Sequence, residues 1–331
     1  FAGATVNICN CDHITFRTTP VIDELGLAQH GLQYLEVDPG QLSVPYPGAD
    51  GTVHPAWPVF HDIERTIDGL ALTYPNQVDA YRRYTAAAVP ALRLILDAAT
   101  EPPSPSRLTR VAARHPIGAA TILRWSRRSA AEVLRGYFSD EAIIGPALAT
   151  GPVVWGVSPE QAGTGLGALS LAMRHAARIG RPIGGSGMVP AALHRAFVAS
   201  GGTCRTSARV EAILCAEDRV CGVRLASGEV IEARAVVSAC DPHATLLSWL
   251  TSPPPSAQAM LDRWRGIPRY EGYESKIDAV VDAPPRYRSV DMRLADRLGF
   301  EPLHPSAMIA PPSNDIVVGH AASTAGRVMP R

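Results

Sequence analysis

The spacing of apolar positions changes period twice along the chain. Short strand-like runs come first, over 5–8, 33–37 and 41–44, with extended chain again at 59–61. Between the first two runs Thr19 and Pro20 mark a helix start and Gly26 its stop. From Asp62 the period becomes helical. Ile63, Ile67, Leu70 and Leu72 precede Pro75, and then Tyr81, Tyr84, Ala88, Leu92 and Ile95 recur at steps of three and four. Pro90 falls inside that second run, where a missing N–H predicts a kink or a break. A Pro/Ser linker at 101–106 ends the block. Further helices are predicted over 121–129, 130–136, 141–148 and 166–178.

Strand periodicity returns after residue 180. Gly184-Gly185-Ser186-Gly187 opens a helix over 189–200, which Gly201-Gly202 closes. Strands are predicted over 203–206 and 209–215. A hairpin of 219–225 and 230–233 turns at Ala226-Ser227-Gly228. The apolar Val236-Val237-Ser238-Ala239 reads as a short central strand running into Cys240-Asp241-Pro242. Four segments follow: 1–61 begins a sheet region, 62–179 is helix-rich, 180–246 is a glycine-opened α/β segment, and 247–331 is the remainder. A helical block inserted between strand-rich stretches is a natural wall for a substrate cavity.

Composition narrows the function classes. With 331 residues the chain can bury a large core, and its 46% hydrophobic and 19% charged residues are those of a globular protein. Lys+Arg and Asp+Glu balance at 31 each, so no net field draws it to nucleic acid. No run is long and apolar enough for a membrane span. Six scattered cysteines without a paired framework fit a reducing compartment, and with no signal peptide visible the expectation is cytoplasmic.

Three stretches carry candidate chemistry. Cys9-Asn10-Cys11-Asp12-His13 gathers ligand-type side chains, but a structural zinc site needs four ligands and no second cluster lies nearby, so no metal is assigned. Gly163-Thr164-Gly165-Leu166-Gly167-Ala168 matches the dinucleotide pattern formally. It follows loop residues Pro159-Glu160-Gln161 and has no acidic residue 20 positions on, which favours close helix packing instead. The glycines at 184–187 leave unpaired N–H groups at a helix start, a place for a phosphate or a packing device. His61, His175 and His194 are available, and none has a triad partner at telling spacing.

The order of these elements is familiar. The glycine-opened helix, T-S-A-R-V-E-A-I at 206–213, V-C-G-V-R-L-A-S-G-E at 220–229 and A-R-A-V-V-S-A-C-D-P at 233–242 together resemble the phytoene dehydrogenase-like branch of the flavoprotein amine oxidase and desaturase superfamily. Y-F-S-D-E at 137–141, G-T-G-L-G-A-L at 163–169 and 20–26 extend the likeness over most of the chain. The resemblance implies an α/β fold: an FAD-binding Rossmann-type domain with an inserted helix-rich α+β substrate domain, and FAD as cofactor. It also implies that 180–246 belongs to the FAD-binding domain and that 247–331 returns to the substrate domain. By position, Val210 matches the residue whose backbone meets the adenine. Ser238, Ala239 and Cys240 match the strand end beneath the ADP moiety. Gly184 and Gly185 match the glycine turn near the ring system, and 276–280 reads as a strand returning to the substrate sheet. The N-terminal G-x-G-x-x-G unit of the family pattern has no counterpart ahead of Asn7. Gly319–Arg331 does not supply its C-terminal flavin motif, so an incomplete, truncated FAD domain is expected.

The implied function is an FAD-dependent oxidoreductase that takes a hydride from a small apolar substrate to flavin N5. Two alternatives stand beside it: a flavin-dependent polyene isomerase, and a non-catalytic remnant or partner-binding subunit that does not hold FAD alone. Peripheral membrane contact would suit an apolar substrate, although no distinct basic amphipathic helix stands out to carry it. The oligomeric state is left open.

Overall fold

A computed structural model describes residues 13–45, 52–149, 151, 157–268 and 292–300, and the strands at 306–310 and 319–322. The predictions for 5–8, for the Cys9/Cys11 cluster apart from His13, for 276–280, and for the end of the chain beyond 322 lie outside these residues. The chain divides into two compact units, one of 1–200 with 274–331 and one of 201–273.

The first unit opens with two single-turn helices, α1 (Thr15–Thr18) and α2 (Val21–Glu24). Pro20 is the N-cap residue of α2, one place later than the Thr19 cap the sequence suggested; the Thr19 hydroxyl bonds the Phe16 carbonyl instead. Gly26 takes φ +58° just beyond the helix end. Strands β1 (Tyr34–Glu36), β2 (Gln41–Pro45) and β3 (Trp57–Val59) follow, β2 and β3 antiparallel with Gln41 opposite Val59.

The helical block comes next: α3 (Ile63–Thr73), α4 (Val78–Ala98), α5 (Pro105–Arg114), α6 (Pro116–Trp125), α7 (Ala130–Arg135) and α8 (Glu141–Leu148). Short polar side chains start most of them. Asp62 caps α3, Ser104 caps α5, Asp140 caps α8, and Ser129 with Glu132 forms a capping box on α7. A 3₁₀ segment (Gly165–Ala172) and α9 (Met173–Ala176) replace the single helix predicted over 166–178. Strand β4 (Gly180–Pro182) pairs antiparallel with β1, and α10 (Met188–Ala199) closes this stretch.

Pro90 does not break α4, which runs unbroken for 21 residues. The helix is held from outside: Ala88, Val89, Ala91 and Leu92 are all buried around the proline. Gly118 of α6 lies so close that a Cβ there would stand 2.4 Å from the Pro90 carbonyl oxygen. Packing thus outweighs a local cost of about 3 kcal/mol for a helix-interior proline. Pro146 in α8 is accommodated differently. Its missing N–H would have reached the Ala142 carbonyl, and the buried Trp57 indole N–H donates to that oxygen across 3.3 Å.

Helix α4 runs through the largest core. Tyr81 and Tyr84 on it pack with Trp57, Trp125, Leu134, Phe138 and Ile143, and Tyr84 stacks on Trp125 with 6.0 Å between ring centroids. Smaller clusters join Leu42, Phe60 and Phe300, and Leu27, Leu32, Ala192 and Ala196.

The second unit is a four-stranded sheet of order β7-β6-β5-β8, with β5 (Val210–Ala216), β6 (Arg219–Leu225), β7 (Val230–Glu232) and β8 (Leu250–Thr251). The β5-β6-β7 meander is antiparallel as its turn residues predict, and helix α11 (Gln258–Arg265) follows. Two predicted strands are absent from it. Residues 203–206 and 236–239 carry no ladder, and Val237 is 96% exposed. The place beside β5 is taken by β8, parallel, with Ile213 opposite Leu250. A four-residue apolar run has too little of its own to specify a sheet position when another segment holds the neighbouring edge.

The chain then returns to the first unit with α12 (Met292–Leu298), β9 (Ser306–Ala310) and β10 (Gly319–Ala322). β9 pairs parallel with β2 and antiparallel with β10, giving a sheet of order β10-β9-β2-β3.

Candidate functional site

The six residues singled out for the cofactor fall in separate units. Gly184 and Gly185 belong to the first unit. Val210, Ser238, Ala239 and Cys240 belong to the second.

The glycine turn leads from β4 to α10. Both glycines take left-handed φ, +91° and +90°, which an L side chain adopts only under strain. The doubled-back chain brings the Gly185 carbonyl to the Met188 N–H at 3.0 Å and the Ser186 carbonyl to the Val189 N–H at 3.1 Å. Pro190 has no N–H, and Ala191 donates to Gly187. The first turn of α10 therefore already has acceptors within the chain. This corrects the expected row of unpaired N–H groups at that helix start, because the tight turn itself supplies the carbonyls.

The second glycine-rich stretch is closed as well. A Cβ on Gly165 would stand 2.1 Å from the Trp125 carbonyl oxygen, and the N–H groups of Gly163 and Gly165 both donate to the Arg128 carbonyl. The sequence reading of close packing rather than dinucleotide binding agrees with this arrangement.

In the second unit Val210 is half-buried at the start of β5, opposite Leu225, with a register shift between Val210 and Ala212. Residues 238–241 form an exposed turn instead of a strand end. The Ser238 and Thr245 hydroxyls lie 2.8 Å apart, the Cys240 N–H donates to Ser238 Oγ at 3.3 Å, and Asp241 Oδ1 accepts from the Ala244 N–H at 2.8 Å. Asp241 thereby starts the helical turn that carries Thr245, and the Ala244–Trp249 segment packs against β5. Ser238 and Val210 are thus tied to one small framework, with the backbone of 238–240 facing solvent.

The three histidines have different surroundings. His61 and His194 are exposed. His175 is buried, its Nε2 lies 2.8 Å from the Tyr81 hydroxyl, and its Nδ1 lies 3.1 Å from the His61 carbonyl. A carbonyl only accepts, so Nδ1 carries the proton and Nε2 accepts from Tyr81. Burial pushes the imidazole pKa down and the Tyr81 hydroxyl up. Both ring nitrogens are occupied inside the core, so this histidine is a neutral structural group and not a general base.

One feature of the surface was not visible in the sequence. Between α4 and α6 lies an open groove of about 580 Å³, lined by Ala86, Ala87, Ile117 and Ala120 together with Arg83 and Arg124. Its apolar lining comes from alanines and Ile117 spaced along two helices, a pattern that reads in isolation as ordinary core.

Comparison with known families gives one match. Residues 99–276, more than half of the chain, match the flavin containing amine oxidoreductase family. The matched stretch includes α5 to α10 of the first unit and the whole of the second. A comparison with curated proteins gave no match.

Proposed function

Since the chain belongs to the flavin containing amine oxidoreductase family, we propose that it is an FAD-dependent oxidoreductase of the phytoene dehydrogenase-like branch, acting on a small apolar substrate. The observation that carries the reading is the family match across α5 to α10 and the β5-β6-β7 meander. Bound FAD supplies the acceptor, at N5, for a hydride leaving a substrate C–H bond.

The described residues fit the adenosine end of that cofactor. Exposed backbone and a hydroxyl at Ser238, Ala239 and Cys240, with Val210 on the framework behind them, offer a donor and acceptor set suited to a polar nucleoside edge. A pyrophosphate grip is found at neither glycine-rich stretch, since 163–168 is packed and the start of α10 is satisfied. The chain's own part at these residues is to orient the nucleoside. No residue is assigned as acid or base, because both ring nitrogens of the buried His175 are engaged inside the core.

That same closure of both glycine stretches favours a second reading, in which these residues hold FAD only when a further segment or chain completes the site. One titration separates the two. FAD is added to the purified chain while flavin fluorescence and gel-filtration retention are followed, with Ser238→Ala alongside. Saturable binding, weakened about fivefold in Ser238→Ala for one lost hydrogen bond, supports the first reading. Binding that appears only after a further segment is supplied supports the second. No binding under either condition ends both.

A further inference from the structure

The balanced charge of the whole chain hides a strongly biased stretch. Residues 102–131 contain six arginines and no aspartate or glutamate. They span α5 and α6, the helix pair packed on α4, and the turn after α6 that carries Arg127 and Arg128. Two of the six are neutralised at the base of the pair: Arg107 meets Glu101 at 2.6 Å, and Arg114 faces Asp97 at 3.8 Å. Arg110, Arg124, Arg127 and Arg128 make no ion pair among the described residues, and neither does Arg83 across the groove on α4.

The same two helices, α5 and α6, expose large apolar side chains. Ile117 is 61% and Leu123 69% exposed on α6, and Leu108 is 45% exposed on α5. Helical spacing sets Ile117, Ala120, Leu123 and Arg124 on the outward side of α6, opposite the buried Gly118, Thr121 and Trp125. Guanidinium groups without a carboxylate partner, beside solvated aliphatic side chains and a groove lined largely by apolar side chains, form a two-part surface. Its arginines match phosphate, and its isoleucine and leucines match the region just below a phosphate layer.

We propose that the α5–α6 face docks on an anionic phospholipid bilayer, with Arg83, Arg124 and Arg127 at the phosphates and Ile117 and Leu123 inserted beneath them. Nucleic acid would satisfy the arginines but would leave Ile117 and Leu123 in water, so the apolar half of the surface decides between the two. No described helix is long and apolar enough to cross the membrane, and the contact is interfacial.

The test is vesicle co-sedimentation of the 331-residue chain, which needs no flavin and so succeeds or fails independently of the oxidoreductase reading. Vesicles of phosphatidylcholine alone are compared with phosphatidylcholine mixed with phosphatidylglycerol, at low and high salt. The chain is expected to pellet with the anionic vesicles only. Arg124→Gln with Arg127→Gln lowers the partition coefficient about fivefold for each arginine removed. Ile117→Ser with Leu123→Ser abolishes the fraction that resists salt. Arg219→Gln, on the second unit, leaves binding unchanged, and circular dichroism confirms that every variant is folded. A chain that stays in solution with anionic vesicles at low salt, variants that pellet like the wild type, or binding to duplex DNA without binding to vesicles would each overturn the proposal.

Discussion

The Tyr81 hydroxyl and Nε2 of His175 lie 2.8 Å apart in the core of the first unit, and the histidine's other nitrogen is held by the His61 carbonyl at 3.1 Å. Tyr81 is wholly buried and packs edge-on to Trp57 at 6.1 Å. Tyr81→Phe keeps the ring in place and removes only the donor, leaving a buried imidazole nitrogen unsatisfied. The expected loss is about 1–3 kcal/mol in a chemical denaturation curve. A variant as stable as the wild type would show that the bond contributes nothing.

The same histidine sets a pH dependence. Burial lowers its folded-state pKa below the ordinary 6.5, so between those two values the unfolded chain binds the proton that the native chain refuses. Stability from this group is fully present above pH 6.5. It falls as the pH drops through 6.5 toward the folded-state pKa, with a slope of at most about 1.4 kcal/mol per pH unit. Denaturation midpoints collected across that range should show the slope in the wild type and a flatter curve in His175→Gln. Equal slopes in the two would assign the effect to other groups.

Much of the helical block was legible in the sequence because its signals are local. The change to helical period after Asp62 and the helices predicted over 130–136 and 141–148 meet α3, α7 and α8, and the structure adds the caps Asp62, Ser129 with Glu132, and Asp140. The turn at Ala226-Ser227-Gly228 is of the same kind, and the β6–β7 hairpin follows it. What failed depended on distant neighbours. Pro90 stays helical because α6 and the core hold α4 from outside, and 236–239 stays out of the sheet because β8 occupies the edge of β5. Helix α5 went unseen because its proline- and serine-rich start reads as a linker, whereas Ser104 and Pro105 are its cap and first residue. Within the candidate site, the turn at Gly184 and Gly185 was readable and the fate of its N–H groups was not, since that depends on where the carbonyls point.

Val237 gives a direct check on the misread strand. A central strand would bury it, and polar replacement would then cost several kcal/mol. With 96% of its surface in solvent, Val237→Ser should leave the stability of the second unit within about 0.5 kcal/mol of the wild type. A large loss by thermal unfolding would show that the 236–239 segment is covered in solution.

Gly165 tests the dinucleotide-like motif from the other side. Its absent Cβ makes room for the Trp125 carbonyl at 2.1 Å, and its own N–H donates to Arg128 at 2.9 Å, so the turn after α6 and the 3₁₀ segment are in backbone contact. Gly165→Ala must push those two backbones apart, and neither can yield as a flexible side chain would. The expected cost is about 1–3 kcal/mol of overpacking, read from a shifted denaturation midpoint. FAD affinity per folded molecule should not change, because no phosphate has access to a turn already filled by protein carbonyls. If Gly165→Ala instead spared stability and weakened FAD binding, the stretch from Gly163 to Ala168 would be a cofactor loop after all.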